Sequence, residues 1–318
     1  MARVDELRLM TKVARMYYLQ DLNQQAITER LQLHQSTISR ILKKAKTLNL
    51  IRFSIVTPPG SFAELEDQLT SRFELRDAVI VDSPPEGEAM VRDFGAALAY
   101  FLETTLKPGK IVGISSWSRS LFAMVDALHP GTYCAGGKVV QILGGVGNVG
   151  SELNAIHLAQ RLAGSIGAAP VLLQSPAVLG SSEAQRILSR DPSVQEAATL
   201  FDKLDIALVG IGSMDPSKML AASGNIFSRE ERATLQRQGA VGDICFRFYN
   251  ADGEPVKSPL MKRVIGIDLV KLRNCRRVVG VAGGAQKLQA ILGALRGGLL
   301  DVLITDHRTA EALLSSQR

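Results

Sequence analysis

The chain is 318 residues long and 46% hydrophobic, which is enough for one large and one small globular domain and excludes extended disorder. Its net charge is +6. The sequence has neither an apolar signal core after Met1 nor an apolar run near the ~20 residues that span a bilayer. We therefore expect a cytoplasmic protein without membrane contact. Three widely spaced cysteines and four histidines without ligand spacing argue against a disulfide framework and a metal site.

Three helices are predicted at the start of the chain. An amphipathic pattern indicates a helix over residues 4–20. Two shorter helical patterns follow within residues 21–46, the first with Asn23 as its N-cap and the second with an apolar stripe from Ile38 to Ala45. A tight turn joins these two patterns, and the pair is typical of a helix-turn-helix that binds DNA.

The outer face of the second short helix carries side chains suited to DNA. Its early hydroxyl and amide groups match base edges, and its later cations match phosphates. The residues that we assign to DNA binding are Gln35, Ser36, Thr37, Ser39, Arg40, Lys43 and Lys44. Residues 1–52 contain ten basic and four acidic residues, whereas the rest of the chain contains 27 of each, so the excess positive charge lies in this segment. A helical pair that only packed against the next domain would not explain that segregation.

A domain boundary is predicted at residues 57–60, because two prolines and a glycine interrupt regular structure there. The alternating segment before it, residues 50–57, predicts a short strand that forms a wing or leads out of the first domain. We therefore expect a DNA-binding domain over residues 1–56 and a larger domain over residues 61–318. The larger domain is predicted to open with a helix whose N-cap is Ser61.

Short apolar runs alternate with helical patterns from residue 77 onward. Runs that are apolar on both faces are typical of a parallel sheet covered by helices on both sides, so the predicted fold class is α/β with a doubly wound sheet. The predicted strands are 77–81, 110–115, 138–143, 170–174, 206–212, 277–282 and 302–305. Residues 244–256 predict a different feature, an inserted hairpin around an Asp-Gly turn.

The loop after the second predicted strand is a candidate ligand site, because ligands of doubly wound sheets bind where strands end and helices begin. Its hydroxyl groups and arginine, with the free N–H groups of the helix start, could bind an anion, or they could simply cap the helix. From this loop we assign Ser116, Ser118, Arg119 and Ser120 to ligand binding.

The loop after the third predicted strand is rich in glycine, and residues 145–150 formally match a dinucleotide fingerprint. A dinucleotide site would need an acidic residue near the end of the next strand, where Gln174 is the only polar residue. We therefore expect no dinucleotide or other cofactor. Gly144 and Gly145 are assigned instead to a smaller ligand that approaches the backbone closely.

Two later loops carry opposite charges. Asp243 precedes the predicted hairpin, and in isolation an aspartate there is more often a turn or cap residue. Gly284 and Lys287 lie where the last long helix pattern begins. A helix N-terminus disfavours a cation, so Lys287 suggests an anionic ligand or a nearby acid. Together the loops predict a polar pocket for a hydroxylated small molecule, with or without a phosphate group.

Over nearly its whole length the chain resembles the SorC family of sugar-responsive bacterial transcriptional regulators. The segments that carry the resemblance are LNQQAITERLQLHQSTISRIL (22–42), GISSWSRSL (113–121), LGGVG (143–147), ALVGIG (207–212), GAVGDICFRFYNADGEPV (239–256) and VAGGAQKLQAILGALRGGLLDVLITD (281–306). The resemblance implies a helix-turn-helix or winged-helix head and an effector domain akin to sugar-phosphate isomerases. It also implies a homodimer or homotetramer whose affinity for double-stranded operator DNA changes when a sugar, sugar phosphate or polyol binds.

By position, the resemblance implies that Asp243 and Lys287 contact the effector. The residues that it implies around the same pocket are Ser118, Ser120, Gly144 and Gly145. Two departures stand out: relatives usually have glycine where this chain has Gln32, and they tend toward glycine and threonine where it has Ser118 and Ser120.

The alternative function is a sugar-phosphate isomerase or deaminase with an accessory DNA-binding head. In such an enzyme Asp243 and Lys287 would act as base and electrophile. The sequence offers no evident second carboxylate or histidine beside them, and Leu143 has no amine for a Schiff base. We therefore predict a regulator without catalytic residues.

Overall fold

A computed structural model of the chain describes residues 4–48, 50–51, 61–82, 87–145, 149–215 and 227–316, with the backbone alone for 149–155. The chain forms two compact units, Met1–Pro58 and Pro59–Arg318. The predicted wing at 50–57 and linker at 57–60 lie almost entirely outside the described residues. In the described part of the chain, no helix is both long enough and apolar enough to cross a membrane.

The first unit contains the three predicted helices, which are α1 (Val4–Tyr18), α2 (Gln24–Leu31) and α3 (Gln35–Thr47). Asn23 is the N-cap of α2, and its side-chain oxygen accepts a hydrogen bond of 2.9 Å from the Ala26 N–H. The apolar faces of the three helices meet in one small core, formed by Val13, Met16, Ile27, Ile38 and Leu42.

The turn between α2 and α3 requires a left-handed residue. Gln32 ends α2 with φ 53° and ψ 42°, and its N–H donates to the Thr28 carbonyl. Glycine adopts this conformation freely, whereas a residue with a side chain costs on the order of 1 kcal/mol. The departure at Gln32 therefore lies at a position with a conformational reason for glycine.

The second unit is an α/β domain. Its helices are α4 (Ala63–Phe73), α5 (Glu88–Thr105), α6 (Arg119–Ala127), α7 (Val149–Ile166), α8 (Ser182–Leu188), α9 (Pro192–Ala198), α10 (Arg229–Arg237), α11 (Leu269–Arg273), α12 (Leu288–Arg296) and α13 (His307–Ser315). Its strands are β1 (Asp77–Val81), β2 (Ile111–Ile114), β3 (Lys138–Gln141), β4 (Ala169–Val171), β5 (Ile206–Gly210), β6 (Gly212–Ser213), β7 (Gly242–Ile244), β8 (Arg247–Tyr249), β9 (Val278–Val281) and β10 (Val302–Asp306).

The predicted start of α4 is wrong. Its N-cap is Phe62 rather than Ser61, and no side chain caps it. The Phe62 ring stacks on the His307 ring with their centroids 5.3 Å apart. This tertiary contact accompanies a helix start one residue later than the local capping pattern suggests.

All seven predicted strands are present and form one parallel sheet, in the order β1-β10-β9-β5-β2-β3-β4. The chain runs from β2 outward through β3 to β4, and then returns to the other side of β2 with β5 and β9. The winding direction therefore reverses between β2 and β5. In doubly wound sheets, the crevice at the carboxyl ends of the strands beside such a reversal is where ligands bind.

The inserted hairpin begins earlier than predicted. β6, β7 and β8 form a small antiparallel sheet, and the two-residue turn between β7 and β8 is Cys245-Phe246. The predicted Asp-Gly turn follows as a second turn, over which Tyr249 pairs with Pro255. The first turn was missed because it lacks the glycine or asparagine that normally marks such turns.

Substitution of Gln32 by glycine is expected to stabilise the N-terminal unit by about 1 kcal/mol, because it relieves the left-handed strain. That gain should slow amide exchange in α2 and α3 by roughly fivefold, measured by hydrogen–deuterium exchange. Glu74→Gly is the matched control, since Glu74 ends α4 with φ 56° in the other unit. Equal exchange of α2 and α3 in the Gln32→Gly and wild-type proteins would contradict this expectation.

Candidate functional site

The exposed face of α3 contains the side chains predicted to bind DNA. Ile38, Leu42 and Ala45 of this helix are buried. The exposed residues are Gln35, Ser36, Ser39, Arg40, Lys43 and Lys44, with Thr37 half-buried. The opposite orientation of these two sets leaves a polar and cationic surface along one side of the helix.

Two of these cations are held by neighbouring groups. Lys44 forms an ion pair with Glu6 of α1, and Arg40 Nε donates to the Ser36 carbonyl at 3.3 Å. Arg40 stays exposed and its bond lies within its own helix, so the guanidinium can exchange that partner for a phosphate or a base. Lys44 is tied to a second helix and is therefore less available than Lys43.

A cavity of about 570 Å³ lies in the second unit, at the carboxyl ends of β2, β5 and β9. Its volume is in the range of small-molecule sites. It coincides with the crevice expected from the strand order. The residues that line it are Gly87, Met90, Val91, Phe94, Ser115, Trp117, Ser118, Arg119, Ser120, Leu143, Gly210, Ile211, Gly212, Ser213, Asp215, Asp243, Cys245, Phe246, Ala282, Gly283, Gln286 and Lys287.

Asp243 is a half-buried carboxylate in the wall of this cavity. Its Oδ2 accepts a hydrogen bond of 2.9 Å from the Phe246 N–H. A Cβ added at Gly212 would lie 2.0 Å from Asp243 Oδ1, so the close approach of this carboxylate requires glycine there. Burial raises the pKa of Asp243 to about 6, although the Phe246 N–H and the charge of Lys287 act in the opposite direction.

Lys287 lies in the same cavity and carries the opposite charge. Its Nζ donates to the Ile211 carbonyl at 2.8 Å. Burial lowers the pKa of Lys287, and the negative charge of Asp243 partly offsets that effect. The structure thus brings together the acid and the cation that were paired from the sequence, 44 positions apart along the chain.

The hydroxyl-rich loop after β2 contributes three of its four predicted residues to the cavity, namely Ser118, Arg119 and Ser120. Ser118 is the N-cap of α6, but its hydroxyl makes no cap hydrogen bond. The Arg119 side chain is exposed at the start of α6. The loop also contributes Trp117, whose buried Nε1 has no hydrogen-bond partner within the described part of the chain.

Four predicted ligand residues do not line the cavity: Ser116, Gly144, Gly145 and Gly284. The hydroxyl of buried Ser116 donates to the Leu143 carbonyl at 2.9 Å. The Gly144 N–H donates to the Ile265 carbonyl at 3.2 Å.

The polar groups of the other two residues also bond to the protein. The Gly145 N–H donates to the Ser175 carbonyl at 2.8 Å, and the Gly284 N–H donates to Asp306 and Thr309. These hydrogen bonds within the protein occupy the hydroxyl and N–H groups that were predicted to bind a ligand.

Several residues of the cavity wall were not predicted from the sequence. Asp215, which follows β6, adds a second carboxylate that was not expected there. The apolar wall formed by Met90, Val91 and Phe94 comes from α5, whose pattern resembles that of any helix that packs on a sheet. Among the described residues, no group of three or more His, Cys, Asp or Glu side chains is arranged to hold a metal ion.

Asp243→Asn is expected to gain stability relative to wild type as the pH rises from about 4 to about 7. The folded protein keeps a proton on Asp243 up to about pH 6, whereas the unfolded chain releases it near 3.8. Wild type therefore loses unfolding free energy between these values, by about 2–3 kcal/mol, and the variant does not. Urea unfolding at both pH values measures this, and a constant difference between the two proteins would refute it.

Comparison with known proteins identifies the family. A family model described as "Putative sugar-binding domain" matches residues 57–315. The chain is 32% identical to the deoxyribonucleoside regulator of Bacillus subtilis, over 98% of each chain. It is also 32% identical to the sorbitol operon regulator of Klebsiella pneumoniae, over 99% of this chain and 100% of that protein.

A solved structure matches the whole chain as well. The crystal structure of full-length SorC from Klebsiella pneumoniae has a TM-score of 0.73 and 31% identity, and the match covers 98% of this chain and 100% of that chain. The relatives are named as regulators, a further relative at 33% identity is named as a transcriptional regulator, and the matches cover nearly the whole of this chain. The chain therefore belongs to the SorC family of effector-controlled transcriptional regulators.

Proposed function

We propose that the exposed face of α3 binds operator DNA and that the cavity binds a sugar, sugar phosphate or polyol. The observation that carries this proposal is the pairing of Asp243 and Lys287 within a cavity that also contains serine hydroxyls. Occupancy of the cavity changes the affinity for the operator, which needs a coupling free energy of only ~1–3 kcal/mol.

The chemistry of the cavity wall favours a hydroxylated ligand. The Asp243 carboxylate accepts hydrogen bonds from ligand hydroxyls, and Lys287 and the serines donate to ligand oxygens. The apolar residues of α5 contact the C–H faces of a sugar or polyol. An anionic group of the ligand, such as a phosphate, fits best near Arg119 and the N–H groups at the start of α6, away from Asp243.

We propose that the cavity binds its ligand without transforming it. Asp215 is the observation that favours an enzyme, since it brings a second carboxylate to the cavity. Burial raises the pKa of the Cys245 thiol to about 12, so this cysteine supplies no thiolate nucleophile near neutral pH. The matched relatives are named as regulators, which supports binding over catalysis.

We propose the following division of the chain. Residues 1–56 bind DNA, residues 57–60 link the domains, and residues 61–318 bind the effector and form a homodimer or homotetramer. One helix-turn-helix contacts a single half-site, so stable operator binding is expected to need at least two copies.

Arg40→Ala is expected to weaken operator binding by about 10- to 100-fold, because it removes a cation from the DNA-contacting face. Fluorescence anisotropy measures this on duplexes that the wild-type protein selects from a random pool. Arg8→Ala is the matched control, since it removes another exposed arginine, which lies on α1. Equal operator affinity of the Arg40→Ala and wild-type proteins would remove α3 from the proposed interface.

Lys287→Met is expected to weaken ligand binding by about 10- to 100-fold, because a charge-assisted hydrogen bond is lost, while operator binding without ligand persists. A panel of sugars, sugar phosphates and polyols serves as the probe. Trp117, the only tryptophan in the chain, lines the cavity, so its fluorescence reports occupancy directly.

Lys271→Met is the matched control for that measurement, because Lys271 lies on α11, pairs with Asp202 and does not line the cavity. Each bound compound is then recovered and analysed. If both lysine variants bind the ligand with the affinity of the wild type, the ligand binds outside this cavity. If the recovered compound is chemically altered, the result favours the alternative function, an enzyme.

A further inference from the structure

The turn between β7 and β8 is strained at two consecutive residues. Cys245 has φ 53° and Phe246 has φ 57°, and neither is glycine, asparagine or aspartate. A two-residue turn with positive φ at both positions normally contains Asn-Gly, because glycine adopts that conformation without steric cost. A bulky side chain with positive φ is a clear outlier, and such strain persists only where the surrounding structure imposes it.

The side chains of the two strained residues lie in the same part of the domain. Both Cys245 and Phe246 are buried, and both line the cavity. The Phe246 ring also meets the Phe227 ring edge to face, with their centroids 6.0 Å apart and their planes at 83°. The turn itself gains nothing from a phenyl group, so the strain is explained by what the ring does in the cavity wall and against Phe227.

The Phe246 ring is held at a fixed position relative to the Asp243 carboxylate in the cavity wall. The Phe246 N–H donates to Asp243 Oδ2 within the same turn. Cys245, between them, is also buried, as is Ser115, which follows β2 and lines the same cavity. A ligand that bonds to Asp243 must therefore fit its carbon skeleton against a ring whose position the same turn fixes.

We infer that Phe246 is a specificity-determining residue, whose ring sets the upper limit on the length of ligand that the cavity admits. This inference rests on the proposed function, that the cavity is the effector site. A sugar or polyol bound through Asp243 extends until it meets the ring, and one additional carbon causes a steric clash. In an apolar pocket, a misfit of one methylene changes affinity by roughly tenfold or more.

The test compares Phe246→Gly with Phe248→Ala. Phe248 is the matched control, because it is buried and meets the same Phe227 ring at 5.8 Å, but it does not line the cavity. Phe246→Leu is a second variant that keeps an apolar side chain in case the glycine variant folds poorly. The probes are ribose 5-phosphate, fructose 6-phosphate and sedoheptulose 7-phosphate, with the polyols ribitol, sorbitol and volemitol, titrated by calorimetry.

We expect Phe246→Gly and Phe246→Leu to bind at least one probe that is a carbon longer than the longest that wild type binds. Their affinity for the preferred wild-type probe should fall by roughly tenfold, because the ring no longer contacts it. Phe248→Ala should keep the wild-type order of affinities.

Two results would overturn the inference, and they differ in what else they affect. If wild type binds a probe and the Phe246 variants keep the same length limit, the role of Phe246 is refuted and the proposed function stands. If wild type and every variant bind none of the probes, the proposed effector class fails, and the inference fails with it.

Discussion

The burial of a carboxylate at the point where the sheet reverses its winding is the constraint on which the cavity depends. A half-buried aspartate is unfavourable when charged, and Asp243 is stabilised by the Phe246 N–H and by the nearby charge of Lys287. Its carboxylate fits only because Gly212 has no side chain. The β7–β8 turn must hold the Phe246 N–H in line with Asp243, so the strain at this turn and the charge pair belong to one arrangement.

The parallel sheet makes this arrangement possible by collecting distant segments at one edge. Loops after β2, β5 and β9 meet at the cavity because the carboxyl ends of parallel strands point the same way, and the β7–β8 turn of the small antiparallel sheet joins them there. Two apolar cores, largely on opposite faces of the sheet, hold those strands in register. Helix α5, which forms the apolar wall of the cavity, packs closely against α6, since a Cβ added at Gly95 would lie 2.6 Å from Ala123 of α6. Such dense packing fixes the relative positions of the polar groups before a ligand arrives.

Positive charge is divided unequally between the two units. The first 52 residues carry the whole excess of positive charge, and the rest of the chain is balanced, with 27 basic and 27 acidic residues. A polyanion such as DNA is therefore attracted to the helix-turn-helix, while the balanced effector domain adds little nonspecific attraction. Within the effector domain, the cavity wall carries two carboxylates and two cations, and this balance suits an uncharged or singly anionic polyol better than a nucleic acid.

The sequence by itself determined where the main helices and strands form, because the spacing of apolar residues that specifies them is a local property of the chain. The seven strands, the buried stripe of α3 and the pairing of Asp243 with Lys287 were all visible in the order of residue types. Only the tertiary structure decided which loop groups reach the cavity, because hydrogen bonds between distant segments orient them. The Gly145 N–H, for example, is taken by the Ser175 carbonyl, thirty residues away. The same physical reason applies to the β7–β8 turn, where contacts from outside the turn impose a conformation that its own residues do not favour.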